Sequence, residues 1–282
     1  MESPSRLSIF LLKSISMHEF VCFNQEIIQA ENASVSAISS AAFYGKGVFT
    51  TLSVINKKPF LWEKHWCRLN ENARKLKLEL SDFSEAEIKN SLIETIEKNN
   101  FINGRARITF FDESTGKIWN LANEKGTSFL ITTADCHKTK DTFRLTVSPY
   151  RINSKSPLAG VKSCNYLEKT LAFDESKMRG FDEAIQLNER GEIVSACMAN
   201  IFWLKDEKLF TPSLNTGCLR GTMRDFVMEN LKTAEVEGDL EVLQKADAIF
   251  LTSAGVGIVQ VSEFNEKRFE KIESPIVKII SL

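Results

Sequence analysis

Apolar positions along the chain recur with two different periods, and the switches between them mark out its elements. From Phe20 to Ile28 the run Phe-Val-Cys-Phe-Asn-Gln-Glu-Ile-Ile predicts a hairpin turning at Asn24-Gln25. A longer strand is expected over Gly47 to Ile55, closed by the turn Asn56-Lys57-Lys58. The period then changes. Trp66, Leu69, Ala73 and Leu76 recur at threes and fours, as do Ile88, Leu92 and Ile96, which predicts a first helix and a second one over 85–98. Strands are expected again at 105–111, 128–133 and 143–148.

A turn-like stretch, Pro157-Leu-Ala-Gly160, leads to Lys162 and then to helical spacing in Leu167, Leu171 and Met178, with Gly180 as a terminating glycine. Beyond it, short strands follow at 184–187, 193–196, 200–204 and 209–210. One helix interrupts at 222–231, and strands at 248–252 and 258–262 flank Ser253-Ala-Gly-Val-Gly257. The fold class is α+β: an N-terminal α/β domain over 1–133 that opens with an extension over 1–17, a polar linker over 134–141, and a strand-rich C-terminal domain over 142–282.

Composition narrows the function classes. A chain of 282 residues with 43% hydrophobic content can fill sizeable cores, and a formal net charge of −1 with both signs dispersed gives no polyanion-binding face, so nucleic acid is not expected as a partner. Six cysteines without a CxxC pair and three scattered histidines point to reduced thiols, a cytoplasmic setting and no metal site. No apolar run approaches membrane-spanning length, and Leu7 to Leu12 is broken by Lys13 without a cleavage site, so no signal peptide is read there.

The candidate chemistry centres on Lys162. An amine held at a strand-to-helix junction can be desolvated, which lowers its pKa and frees the lone pair that a Schiff-base lysine needs. With 36 Lys and Arg in the chain, a solvated charge is the default for any one lysine, so its neighbours decide. Gly221-Thr222-Met223 opens a predicted helix, whose first amides form an anion site. Ser253-Ala254-Gly255 is a turn that could add further amides.

Four segments carry a resemblance: Phe43-Tyr-Gly-Lys-Gly-Val-Phe-Thr-Thr51; His65-Trp-Cys-Arg-Leu69; Lys162-Ser-Cys-Asn-Tyr166; and a set from Asp182-Glu-Ala through Gly191, Asn200-Ile-Phe202 and Thr211-Pro212 to Gly221-Thr-Met-Arg224. In this order and spacing they resemble the class IV (fold type IV) pyridoxal-phosphate enzymes, which include branched-chain and D-amino-acid aminotransferases and 4-amino-4-deoxychorismate lyases. The resemblance implies a two-domain D-amino-acid-aminotransferase-like fold, with a smaller α/β N-terminal domain and a strand-rich pseudo-barrel. It implies pyridoxal 5'-phosphate bound covalently to Lys162, a homodimer with the site near the subunit boundary, and a small-molecule substrate. Arg68 would grip the phosphate, a role its planar charged fork suits. Backbone of Thr222 and Met223 would be a second grip, and Ala254 a third where many aminotransferases carry threonine. Tyr166 would face the cofactor's 3-oxygen, although its spacing from the lysine is one residue shorter than in branched-chain enzymes; a core tyrosine is the alternative.

The lyases look closest, in Val48-Phe-Thr-Thr51, Leu158-Ala-Gly-Val-Lys162, Asn165-x-Leu-Glu168 and Met198-Ala-Asn-Ile-Phe-Trp203. Their proton-transferring threonine matches Thr51, and Thr50, on the other side of the pleat, is its natural control. The main departure is Ser195, which stands five residues before Asn200, where the family has the glutamate that partners the pyridine nitrogen. Glu192, three residues off, points to the opposite face. A serine can hydrogen-bond a neutral nitrogen but brings no charge. Phe110-Phe-Asp112 replaces an Arg-Gly used for substrate-carboxylate recognition, and Lys46 sits where an acid is common. The resemblance therefore implies a lyase of the folate pathway that releases pyruvate to give 4-aminobenzoate. The alternatives are a class IV aminotransferase acting on a branched-chain or D-amino acid, or a catalytically weakened cofactor-binding relative.

Overall fold

The structure is a computed structural model that describes residues 17–114, 126–136 and 142–279. Of the extension over 1–17, Met17 alone is described, and it bridges Ala134; of the linker range, 137–141 lie outside the described residues.

The N-terminal half is built on one antiparallel sheet. Strands β1 (Phe20–Phe23) and β2 (Glu26–Gln29) join through Asn24 and Gln25, both at positive φ (47° and 71°), as a two-residue hairpin turn requires. After the short helix α1 (Ser40–Tyr44) come β3 (Gly47–Ile55) and β4 (Lys58–Pro59). Helices α2 (Trp62–Lys75) and α3 (Glu85–Lys98) follow, then β5 (Gly104–Asp112) and β6 (Thr127–Asp135). The sheet order is β2-β1-β6-β5-β3-β4. One face packs against the two helices around Leu52, Leu69, Ile88, Leu92, Ile108 and Phe129, all essentially inaccessible. Ser84 and Glu87 form a reciprocal cap that fixes the start of α3.

The C-terminal half pairs two five-stranded sheets. One takes β7 (Arg144–Val147), β8 (Glu183–Leu187), β9 (Ile193–Ala196), β15 (Glu263–Phe264) and β16 (Lys267–Arg268), in the order β16-β15-β7-β8-β9. The other takes β10 (Asn200–Lys205), β11 (Lys208–Pro212), β12 (Thr233–Val236), β13 (Ala248–Ser253) and β14 (Gly257–Gln260), in the order β12-β11-β10-β13-β14. Leu145, Ile185, Ile193, Ile201, Trp203, Leu251 and Phe264 fill the core shared by both sheets. Helices α4 (Leu167–Met178), α5 (Thr222–Asn230), α6 (Leu240–Gln244) and α7 (Pro275–Lys278) complete the fold. The elements that the apolar pattern did not predict are short. Strand β12 lies at a sheet edge and buries no residue, so it carries no hydrophobic signature.

Two details differ from the sequence expectation. The apolar spacing in α4 marks its outer face: Leu167, Leu171 and Met178 are 64%, 51% and 88% exposed, while Ala172 and Ser176 are buried. Lys162 does not follow a strand of the C-terminal sheets. It lies in an extended segment laid along β3, with Phe49 N–H donating to the Lys162 carbonyl (3.0 Å) and Cys164 N–H to that of Gly47 (2.8 Å). Glycine is required at 47, because a Cβ there would meet the Phe110 carbonyl oxygen at 2.7 Å.

Candidate active site

The segment pinned to β3 turns the Lys162 side chain into a cavity of about 510 Å³ between the N-terminal sheet and the C-terminal half. Thr51, Arg68, Tyr166, Ser195, Thr222, Met223 and Ala254 line the same cavity. The sequence-derived candidates thus come from six separate parts of the chain to one wall or another of a single space.

Lys162 Nζ lies 3.4 Å from the Tyr166 hydroxyl and above the rings of Phe49 and Tyr166 (4.5 and 4.8 Å to the centroids). Burial drives its pKa well below the ordinary lysine value, and the charges of Arg68, Lys169 and Arg107 push the same way, so its amine is poised as a nucleophile. Burial raises the Tyr166 phenol, which stays a hydroxyl donor at neutral pH.

Arg68 reaches the cavity from α2. Its Nη2 donates to Thr50 Oγ1 at 2.7 Å, its Nη1 makes a long contact of 3.5 Å with the Arg220 carbonyl, and its Nε is buried without a partner. Burial pulls its pKa down to about 10, so it remains charged at neutral pH. His65 stands beside it, with Nδ1 2.6 Å from Thr50 Oγ1 and Nε2 3.2 Å from Thr222 Oγ1. Thr222 and Met223 open α5, whose N-cap Gly221 offers no side-chain cap, so the first-turn amides have no intrahelical acceptor. Gly221 packs tightly against Asn200: a Cβ there would lie 1.9 Å from Asn200 Oδ1 and would displace a side chain whose Nδ2 fastens the approaching loop by donating to the Leu219 carbonyl at 2.8 Å.

Ala254 sits in the turn after β13, and its carbonyl accepts from Ser53 Oγ at 2.5 Å. The preceding Thr252 is buried, lines the cavity and has a hydroxyl without a partner. Sequence reasoning passed over it because it reads as an ordinary strand residue. Arg105 and Arg107 were passed over as well, although their spacing of two carried the signal. They share the cavity face of the sheet with Thr51, which pairs with Arg107, and Ser53, which pairs with Arg105. Arg107 lies 3.7 Å over the Phe49 ring. Phe110 and Phe111 are buried, and Lys46 is paired with Asp112 at 2.6 Å, so those departures from the family pattern compensate one another away from the cavity.

Among the described residues, the Ser195 wall has no carboxylate free to act. Glu183 accepts from the backbone N–H groups of Cys197 (3.0 Å) and Met198 (3.1 Å), Asp182 accepts from Arg144 N–H (2.9 Å), and Glu192 is held outside by Arg190 and Asn188. Among the described residues no cluster of His, Cys, Asp or Glu is placed to hold a metal ion.

A partly buried lysine of lowered pKa, a buried arginine with an unused N–H and an uncapped helix N-terminus share one cavity, a set that suits pyridoxal phosphate: the amine suits the aldehyde, and the other two suit the phosphate. The chain belongs to the amino-transferase class IV family, whose sequence model matches residues 47–264, and it is a pyridoxal-phosphate-dependent enzyme of fold type IV. It is 28% identical over 264 residues to the aminodeoxychorismate lyase of Bacillus subtilis, covering 87% of each chain. It is 26% identical over 260 residues to the branched-chain-amino-acid aminotransferase of Escherichia coli K12, covering 86% of this chain and 84% of that one. The branched-chain aminotransferase of the archaeon Thermoproteus uzoniensis, solved with norvaline, shares the fold at a TM-score of 0.85 and 24% identity, with 94% of this chain and 93% of that one covered.

Proposed function

We propose that the protein is a lyase that acts on aminodeoxychorismate, releasing its enolpyruvyl group as pyruvate and leaving 4-aminobenzoate, a step of folate synthesis. The observation that carries this reading is Ser195, a hydroxyl on the cavity wall where the resemblance puts an acid against the cofactor's ring nitrogen. Pyridoxal phosphate, when bound, supplies an electron sink for the bond broken beside the substrate nitrogen. A serine leaves that sink weak. The lyase reaction tolerates this because aromatisation of the ring supplies driving force, whereas transamination moves protons in both half-reactions and leans on the missing acid.

Each residue then has a task. Lys162 holds the cofactor and, as a free amine, takes the proton from the ring carbon that bears the substrate nitrogen. Thr51 passes a proton to the departing enolpyruvyl group. Arg68 and the amides of Thr222 and Met223 bind the phosphate; the Ala254 turn adjoins it, with the Thr252 hydroxyl in place of the threonine that Ala254 lacks. Tyr166 donates to the 3-oxygen. Arg105 and Arg107 match the two carboxylates of this substrate.

Aminotransfer on a branched-chain or D-amino acid is the second reading, favoured by the near-equal identity to the Escherichia coli enzyme. Incubating the cofactor-loaded protein with aminodeoxychorismate, and separately with amino-acid and keto-acid pairs, distinguishes them. Pyruvate and 4-aminobenzoate in equal amounts support the lyase. Amino-group transfer without them supports the second reading, and no turnover supports a weakened relative.

The exposed Leu167 and Leu171, with Phe43 and Tyr44 beside the same segment, support a homodimer across this face. Sedimentation of the wild type and of Leu171→Glu tests it. The six unpaired cysteines support a cytoplasmic setting, and no helix among the described residues is long and apolar enough to cross a membrane.

A further inference from the structure

Helix α4 turns an unusual residue towards the cavity. Lys169, Ala172 and Ser176 are spaced by three and four and form its inner face, opposite the one that Leu167 and Leu171 expose. Lys169 lines the cavity, and its Nζ donates to Gln186 Oε1 at 3.0 Å. Gln186 is the residue of β8 directly across the ladder from Ser195 of β9, so their side chains project from the same side of the sheet. Lys169 is thereby brought to the Ser195 wall. The described residues give this ammonium no ion pair and one hydrogen bond, to a neutral amide, which leaves two of its three donor positions unspent. Burial lowers the Lys169 pKa, and the charges of Cys197, Glu183, Cys218 and Glu168 oppose that shift; Glu183 is itself occupied by the amides of Cys197 and Met198.

We propose that Lys169 fixes the ring nitrogen of the bound cofactor in its unprotonated state. The inference rests on reading Ser195 as the residue that faces that nitrogen. A cation at this wall disfavours a second positive charge on the pyridine and favours a nitrogen that accepts a hydrogen bond from Lys169 or Ser195. The site therefore does more than lose an acid: it sets the opposite charge in the acid's place. A ring held neutral is the weaker electron sink, which selects for a reaction whose product aromatises and against return of a proton to the cofactor.

The test uses cofactor labelled with 15N in the ring, loaded onto the wild type, Lys169→Met and Ser195→Glu. In the wild type the nitrogen resonates as an unprotonated pyridine at neutral pH, and in Lys169→Met its titration moves upward into the accessible range. A protonated nitrogen in the wild type, or one that does not respond to Lys169→Met, overturns the proposal. Ser195→Glu separates the two readings. If it protonates the ring while Lys169→Met does nothing, Ser195 faces the nitrogen and Lys169 has no role there. If neither variant moves the signal, the placement of Ser195 falls as well. A second measurement needs no turnover and no label. The apo wild type binds the permanently cationic N-methyl analogue of pyridoxal phosphate at least about tenfold more weakly than pyridoxal phosphate, and Lys169→Met narrows that ratio. An unchanged ratio overturns the proposal.

Discussion

Thr50 Oγ1 accepts a hydrogen bond from Arg68 Nη2 at 2.7 Å, from the core side of β3, while its neighbour Thr51 faces the cavity. The pleat thus gives two adjacent threonines different work. Thr50 reads from sequence as an inert control for Thr51, yet it ties Arg68 to the sheet and meets His65 at 2.6 Å. Thr50→Val leaves a buried donor of Arg68 without an acceptor and the His65 Nδ1 without a partner, so cofactor affinity is expected to fall by about 1–2 kcal/mol, roughly tenfold. Thr51→Val is expected to leave affinity nearly unchanged and to reduce turnover. Titrating both apo variants with pyridoxal phosphate, followed by steady-state kinetics, checks the contrast.

Arg68→Ala removes the charged fork itself, including the Nε that has no partner among the described residues. Cofactor affinity should drop by about 2 kcal/mol or more, some thirtyfold. Equilibrium binding measures it, and an unchanged constant would place the phosphate elsewhere.

Lys162 is expected to be the single point of covalent attachment. Borohydride reduction of the loaded protein, digestion and peptide mapping should find the label on the peptide containing Lys162-Ser-Cys-Asn. Label on Lys169, which lines the cavity from α4 together with Lys177, would reassign both Lys162 and Lys169.

His65 makes stability depend on pH. Burial holds its pKa well below 6.5, helped by the charges of Arg68 and Lys162. The unfolded chain takes up a proton near pH 6.5 and the native protein does not, so stability contributed by the neutral ring is present above that pH and is lost as pH falls below it. The slope reaches about 1.4 kcal/mol per pH unit for one proton. In His65→Gln this part of the slope should vanish below about pH 6.5, as measured by denaturant unfolding of the two apo proteins at falling pH.

Much of the fold was legible because its long elements carry clear periods. The first strand after the hairpin and the helix over 85–98 appear with the expected bounds, since the strand is rich in β-branched residues and closed by the Asn56-Lys57 turn, and the helix buries one face between polar ends. The site was legible only as far as single segments could show it. Lys162, Arg68 and the α5 opening each have a local signature, whereas Arg105 and Arg107 become partners of Thr51 and Ser53 only once β3 and β5 pair. Lys169 was hidden for a different reason. Apolar spacing normally marks the inner face of a helix, but α4 turns Lys169, Ala172, Phe173 and Ser176 towards the cavity and β8, while its leucines point outward.

Ser195→Glu tests how the wall selects the reaction. The new carboxylate would stand on β9 beside Gln186, within the neighbourhood of Lys169, and would favour a protonated ring nitrogen over the neutral one. A stronger electron sink prolongs the stage at which a proton can return to the cofactor, and it adds little to a lyase step already drawn forward by aromatisation. Side transamination should therefore rise relative to lyase turnover. Because Lys169 offsets part of the new charge, the double variant Ser195→Glu/Lys169→Met should shift the balance further than Ser195→Glu does. The measurement is pyridoxamine phosphate formed per 4-aminobenzoate released, at matched cofactor occupancy. Equal ratios in the wild type and both variants would show that charge at this wall does not choose between the two outcomes.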